Sequence, residues 1–278
     1  MRRYFALFFV LMVNSAIAEE LFLTYPHQSF SDGYPLALLK MALKKGQPDN
    51  QYHLTESGIK IQQGRALVLL SQDIELDVAW SMTSIEREKK LRAIKIPIYK
   101  GLFGYRIFLI SAQNQHRFSK DMSLSGLQQE RLAVQGHDWP DIKVLQHNGF
   151  RVEGVEIYDA MFELVEKGRA DYFPRSILEV WGEAQQHQQH GLVVEQQLAF
   201  AYPAYIFFFV HKNNRALAET IEKGILASID DGSFDILFDT IENGAIERAN
   251  LNNRKIIPLH NRTVNSKGVY PWPSLSQQ

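Results

Sequence analysis

Asp77-Val78-Ala79-Trp80-Ser81-Met82-Thr83-Ser84-Ile85-Glu86-Arg87-Glu88 reads as a strand, a turn and the start of a helix. Thr83-x-x-Glu86 fits a capping box, which makes Thr83 the expected N-cap and Glu86 its reciprocal partner. The free backbone N–H groups of that first turn would then point over the carboxyl end of the strand. Open α/β sheets bind ligands there, and a helix N-terminus favours anions. Arg87, one turn in, could add a planar clamp for a carboxylate or similar group. The alternative is a solvated helix start whose arginine pairs with Glu86 or Glu88.

The surroundings of this stretch alternate between strands and helices. Leu21 to Tyr25 is a strand stopped by Pro26, and Tyr34 to Lys45 a helix with Leu36, Leu39 and Leu43 on one face. Tyr52 to Thr55 reads as a strand and Gln62 to Ser71 as a helix. Leu102 to Ile110 is a long apolar strand. Leu132 to Val134 and Lys143 to Leu145 read as strands around a polar turn. Glu156 to Lys167 is a helix capped by Gly168, and Ala170 to Phe173 a strand closed by Pro174. Leu198 to Val210 is a buried strand entered through a bend at Pro203. Helices follow at Arg215 to Ile229 and at Phe234 to Glu242, the latter capped by Ser233. Such alternation predicts an α/β fold with mainly parallel sheets. Gln185 to His190 reads as a surface loop; its His187-x-x-His190 pair lacks the further ligands a metal needs.

The 278 residues are 45% hydrophobic, 22% charged and 12% aromatic, an ordinary globular composition. Lys plus Arg is 30 against Asp plus Glu 31, so no basic excess points to nucleic acid. The absence of cysteine excludes disulfides, thiolate metal sites and cysteine nucleophiles. Neither a nucleophile elbow, a phosphate-binding glycine loop, a zinc-protease motif nor a dinucleotide fingerprint is present. No cofactor is expected.

At the N-terminus, Arg2-Arg3 precedes nine apolar residues, Phe5 to Val13, and a small-x-small site at Ala16-Ile17-Ala18. This is the three-part pattern of a secretory signal peptide cleaved after Ala18. Nine apolar residues cannot span about 30 Å of hydrocarbon, so the segment reads as a leader rather than a membrane anchor. The expected compartment is the periplasm.

Several landmarks carry a family resemblance. Ser84-Ile85-Glu86-Arg87 resembles the Thr-Pro-Glu-Arg segment of the family 3 extracellular solute-binding proteins, which are type II periplasmic binding proteins. Ile98-Tyr99, then Gly104 to Ile110, is similar to that family's Pro-Tyr and first crossover strand. Leu127 with Arg131 to Gly136 resembles the opening of the second lobe. Glu163 to Asp171 resembles the leucine–glycine–arginine–aspartate segment, and Asp231-Gly232-Ser233-Phe234 the turn between the closing helices. The resemblance covers roughly residues 20 to 245. It implies two lobes joined by two hinge strands, with a small-molecule ligand in the cleft. Lobe one would be residues 19–105 plus 203–278, the latter ending in an irregular tail, and lobe two 106–202. A monomer working with a membrane permease or a sensor protein is implied.

The departures shape the expected ligand. An aspartate for an amino acid's ammonium would fall on or near Ser176, where Arg175-Ser176 stands instead. The second lobe's Gly-Thr-Thr turn is here Gly136-His137-Asp138-Trp139-Pro140, and Trp80 and Met82 replace small residues ahead of Thr83. The resemblance with these departures implies a cleft offering Arg87 and Arg175 to an anionic group. Tyr25, Trp80 and His137 would be its walls. Each nominee has a structural alternative: Trp80 and Tyr25 as core, Arg175 paired with Glu179, His137 shaping its turn. A solute-binding protein leads. A dehydratase-like enzyme on the same fold, with Asp138 or Glu153 as acid or base, and a degenerate accessory domain are the alternatives.

The leader makes a direct prediction. N-terminal sequencing of the exported protein should begin at Glu19; an intact Met1 on exported protein would refute the cleavage.

Overall fold

A computed structural model describes residues 19–27 and 33–272, so the expected signal peptide lies outside the described residues. The chain runs β1 (Glu20–His27), α1 (Gly33–Gly46), β2 (Gln51–Lys60), α2 (Gln63–Ser71), β3 (Val78–Met82), α3 (Ile85–Lys90), β4 (Leu91–Ile94) and β5 (Tyr105–Ser111). It continues through α4 (Leu124–Glu130), β6 (Leu132–Gly136), α5 (Pro140–His147), β7 (Arg151–Val155), α6 (Tyr158–Glu166), β8 (Phe173–Ser176), α7 (Val180–Gln186), β9 (Leu192–Val194) and β10 (Leu198–Ala201). It closes with β11 (Ile206–His211), α8 (Arg215–Asp230), α9 (Ser233–Ala249) and β12 (Lys255–Pro258).

One lobe rests on the parallel pair β1–β2 and the antiparallel set β3–β11–β4. Asp77 stitches the two together: the Thr24 N–H donates to its Oδ2 at 2.7 Å, and its own N–H donates to the Thr24 carbonyl at 2.9 Å. The other lobe rests on the path β12–β10–β5–β8, with β9 also on β5, and on the parallel pair β6–β7. Among the described residues three strand pairings are parallel and five antiparallel. The expectation of mainly parallel sheets therefore holds only for β1–β2, β6–β7 and β10–β12. Crossover strands β5 and β11 run against all their partners, and β10 runs against β5 but with β12.

The strands that carry the sheets are buried on both faces. All of Val78–Met82 is buried, as are Arg106 to Ile110 and Ile206 to Val210. Such continuous runs show no period of two, which is how fully covered strands read in sequence. Lys143 to Leu145, expected as a strand, lies within helix α5. Pro140 opens that helix, where its missing N–H costs nothing, and Val144 and Leu145 are buried on its inner side. Pro174, expected to close a strand, sits inside β8, which ends the path of its sheet and tolerates a proline. Helix α9 runs on through Asn243-Gly244, and Gly232 in the left-handed region precedes Ser233 at its start. The Gln185–His190 tract is no open loop: His187 is buried and stacks on Phe162 at 3.7 Å, and His190 bonds Glu166 at 2.6 Å.

The expected irregular tail is ordered and crosses between the lobes. Lys255–Pro258 pairs with β10, a run too short for any period to show. Beyond it, Asn148 and His260 exchange hydrogen bonds of 2.8 and 3.0 Å in the second lobe. The Thr263 carbonyl then accepts the Ile85 N–H at 2.7 Å in the first, and Trp272 stacks on Phe234.

Helices α1 and α8 meet backbone to backbone. A Cβ on Gly224 would stand 1.7 Å from the Ala42 carbonyl oxygen, and one on Gly46 would stand 2.0 Å from that of Thr220. A methyl group at Gly224 must therefore push the helices apart. Gly224→Ala should destabilise the protein by about 1–3 kcal/mol or more, read as a lower urea midpoint at unchanged slope.

Candidate functional site

The turn after β3 is shifted by one residue from its expected place. Thr83 stays extended because its N–H donates to the Tyr205 carbonyl at 2.7 Å, continuing the pairing with β11. Ser84 is the N-cap instead, its Oγ accepting the Arg87 N–H at 3.2 Å. Thr83 Oγ1 donates to Glu88 at 2.8 Å, and Glu86 points outward to Lys143 at 2.9 Å. Two of the first three N–H groups of α3 are thus committed: that of Ile85 to the Thr263 carbonyl, that of Arg87 to Ser84. They do not form the free anion site expected there.

The Arg87 guanidinium folds back beneath its own turn. Nη1 donates to Ser81 Oγ at 2.6 Å, to the Met82 carbonyl at 2.7 Å and to Gln63 at 3.1 Å. Nη2 crosses to the second lobe and donates to the Asp138 carbonyl at 3.0 Å. Burial lowers its pKa to about 10, against the pull of Asp138, Asp141 and Glu86, so it stays charged at neutral pH.

Between the lobes lies a cavity of about 110 Å³, walled by Trp80, Gln62 and Gln63 on one side and by Trp139, Tyr158, Arg175 and Glu179 on the other. A smaller recess of about 40 Å³, with Met82, Arg106 and Asp141, shares Gln63, Trp139, Arg175 and Glu179 with it. An outer groove of about 720 Å³ holds Arg87, Lys89, His137, Asp138, Lys143 and Arg262. Trp80 and Arg175 therefore line the inner cavity, and Met82 the recess. Tyr25 stacks behind Trp80 with ring centres 5.7 Å apart. Arg87 and the exposed His137 belong to the groove, while Thr83 and Ser176 are fully buried. Ser176 Oγ accepts the Leu178 N–H at 3.3 Å and lines none of these spaces. Neither Asp138 nor Glu153, the alternative candidates for an acid or base, lines the inner cavity.

A buried ionic network forms the cavity's second-lobe wall. Arg175 Nε donates to both carboxylate oxygens of Glu183, at 2.7 and 2.8 Å, and its Nη2 lies 3.1 Å from Glu179. The guanidinium also sits over Trp139, 4.7 Å from the ring centre. Arg106 pairs with Asp141 at 2.8 Å and lies 3.4 Å from Glu179. Tyr202 donates to Asp141, and Tyr158 to Glu183 at 2.6 Å. Burial pushes the Glu179 pKa up; the two arginines pull it down, and Glu183 and Asp141 push it further up. Three carboxylates thus face two arginines. Arg175 is saturated by this chain's own acids, not held ready for an anion. Glu179 was missed as a site residue; it stands one helical turn past Ser176, near the place where an acid was sought. Trp139, Tyr158, Gln62 and Gln63 were also missed, and carry no motif. No group of three or more metal-ligating residues occurs among the described residues, and no helix there is long and apolar enough to cross a membrane.

Solved structures share this architecture. An ancestral arginine-binding protein bound to arginine superposes with a TM-score of 0.60 at 16% identity, covering 81% of this chain and 99% of that one. The chain has the two-lobed periplasmic binding protein fold. A Salmonella typhimurium periplasmic binding protein of high arginine specificity gives 0.61 at 11% identity, covering 81% and 100%. A histidine kinase sensor domain similar to periplasmic binding proteins gives 0.58 at 11%, covering 81% and 96%. No family model matches the chain, and no curated protein matches it in sequence.

Removing Glu183 should leave Arg175 short of its main partner inside the binding-protein fold. Glu183→Ala should cost about 3–5 kcal/mol, measured by urea unfolding. A loss below about 1 kcal/mol would show that Glu179 suffices for Arg175.

Proposed function

We propose that this protein is a periplasmic solute-binding protein that holds a small polar solute between its lobes and presents it to a membrane permease or a sensor. The observation that carries the reading is the interlobe cavity itself, with indole rings from facing lobes and Glu179 in its wall. The signal-peptide pattern supports the compartment, and the shared fold supports binding rather than catalysis. We take lobe one as residues 19–105 and 203–278 and lobe two as 106–202, with β12 reaching back into the second lobe's sheet. The protein acts as a monomer in this reading, because both walls of the cavity come from one chain.

The solute's chemistry follows from the charges that meet it. Glu179 is shared between two arginines that each have a nearer acid, so it has capacity left for a cationic group, with Trp80 and Trp139 alongside. Arg87, in the outer groove and bonded to Gln63 of the cavity wall, offers itself to an anionic group when it releases the Asp138 carbonyl. The argument from Ser176 against an ordinary α-amino acid loses force once Glu179 supplies an acid. Two of the superposed proteins are named for arginine binding.

Calorimetry over the twenty amino acids, simple amines and organic anions, with product analysis of each hit, tests this. A solute bearing an amine should bind without turnover. Glu179→Gln should weaken it about tenfold or more, and Arg87→Ala about tenfold to a hundredfold, with Arg87→Lys recovering only part. Hits confined to anions without an amine, an unchanged Glu179→Gln affinity, or turnover of the solute would overturn the reading.

A further inference from the structure

We infer that Asp138 is a latch that draws the two lobes together with the protein's own groups, so that closure of the cleft does not wait for a solute. Asp138 belongs to the second lobe, in the turn between β6 and α5. Its Oδ2 nevertheless accepts the Gly64 N–H at 2.6 Å, in the first turn of α2 in the first lobe. Gln62, the N-cap of α2, makes no side-chain capping bond. Asp138 does from across the cleft what a capping residue does from within its own helix, and the helix dipole favours its charge.

The same residue takes a second donor from the facing lobe. Its backbone carbonyl accepts Arg87 Nη2 at 3.0 Å, and Arg87 is itself anchored to Ser81, Met82 and Gln63. Gly64 is what lets the carboxylate reach the helix, since a Cβ there would lie 2.2 Å from Asp138 Oδ2. Lys143 and Glu86 make a further pair across the cleft at 2.9 Å, but both are exposed and contribute little. The latch rests on the two-lobed reading of the cleft and not on which solute it holds.

Distances between the lobes test it without any solute. The chain has no cysteine, so Gln72→Cys after α2 and Lys167→Cys after α6, both exposed, would carry the only spin labels. After unfolding and refolding to strip carried-over small molecules, the parent should show mainly one short distance by pulsed electron paramagnetic resonance. Asp138→Ala, which removes the carboxylate, should raise the ratio of long to short distances about tenfold or more. Gly64→Ala, which blocks the contact from the opposite lobe while favouring α2, should do the same. The double variant should go no further than the stronger single one, because both break one contact. Lys143→Ala should change the ratio little. A parent distribution retained by either Asp138→Ala or Gly64→Ala, or a parent already dominated by long distances, would overturn the latch. Because no solute is added, that failure would be separate from a failure to bind one.

Discussion

Two guanidinium groups buried on adjacent strands set the terms for the rest of the cleft. Arg106 on β5 and Arg175 on β8 stand one register position apart, with Arg106 opposite Ser176 and Ile107 opposite Arg175. Neither can lose its charge, and each would be costly to bury alone. The acids that neutralise them arrive on separate elements: Asp141 in the first turn of α5, Glu179 at the cap of α7 and Glu183 within it. Both helices are thereby held against the crossover strands. That is what puts Trp139, Tyr158 and Glu179 together as one wall. Replacing such a network by apolar residues often stabilises a fold. Its retention beside a cavity fits a role in shaping a polar wall rather than in stability alone.

The connection between lobes is tight where it bends. A Cβ on Gly104 would stand 1.9 Å from the Tyr202 carbonyl oxygen, and the Tyr202 N–H donates back to the Gly104 carbonyl at 3.2 Å. The two crossover segments therefore lie against each other with no side chain between them. The C-terminal tail adds a third crossing. It leaves β12 in the second lobe, bonds Asn148 there, and ends on the first lobe with the Tyr270 N–H on the Lys95 carbonyl and Trp272 Nε1 on that of Pro97. If the lobes separate, the tail must absorb the motion in the few residues between His260 and Thr263, which would restrict the paths open to them.

Much of this was legible in the chain, and the failures have local causes. The alternation of strands and helices follows from pattern and the two lobes from resemblance, whereas Lys143 to Leu145, read as a strand, is helical because Pro140 opens a helix there. Thr83 lost the capping role to Ser84 because its N–H was claimed by a strand pairing that no local motif records. Of the neighbours Arg175 and Ser176 only Arg175 lines the cavity, because the short Ser176 side chain is fully buried and taken up by the Leu178 N–H. Glu179 lies a turn further on, at the start of a helix whose boundary the sequence left undefined. Asp138 was considered for acid–base chemistry; its partner, Gly64, is far away in sequence and shows nothing in advance. Long-range polar partners of this kind leave no periodic trace.

The charges of the cleft also separate along its depth. In the buried network behind the inner wall, Asp141, Glu179 and Glu183 outnumber Arg106 and Arg175, whereas the outer groove gathers Arg87, Lys89, Lys143 and Arg262 against Glu86 and Asp138. Under the proposed function, a solute carrying charge of both signs would meet an acid in the cavity wall and guanidinium and ammonium groups toward the groove, so one orientation would be favoured over its reverse. Aromatic rings on both sides add contact that either orientation would use and so do not discriminate. Orientation is therefore set by the charged groups, and among them by Glu179 and Arg87, whose present partners lie within this same chain. Each is engaged enough to be held in place and shared enough to be exchanged. Glu183, saturated by Arg175 and Tyr158, lacks that balance.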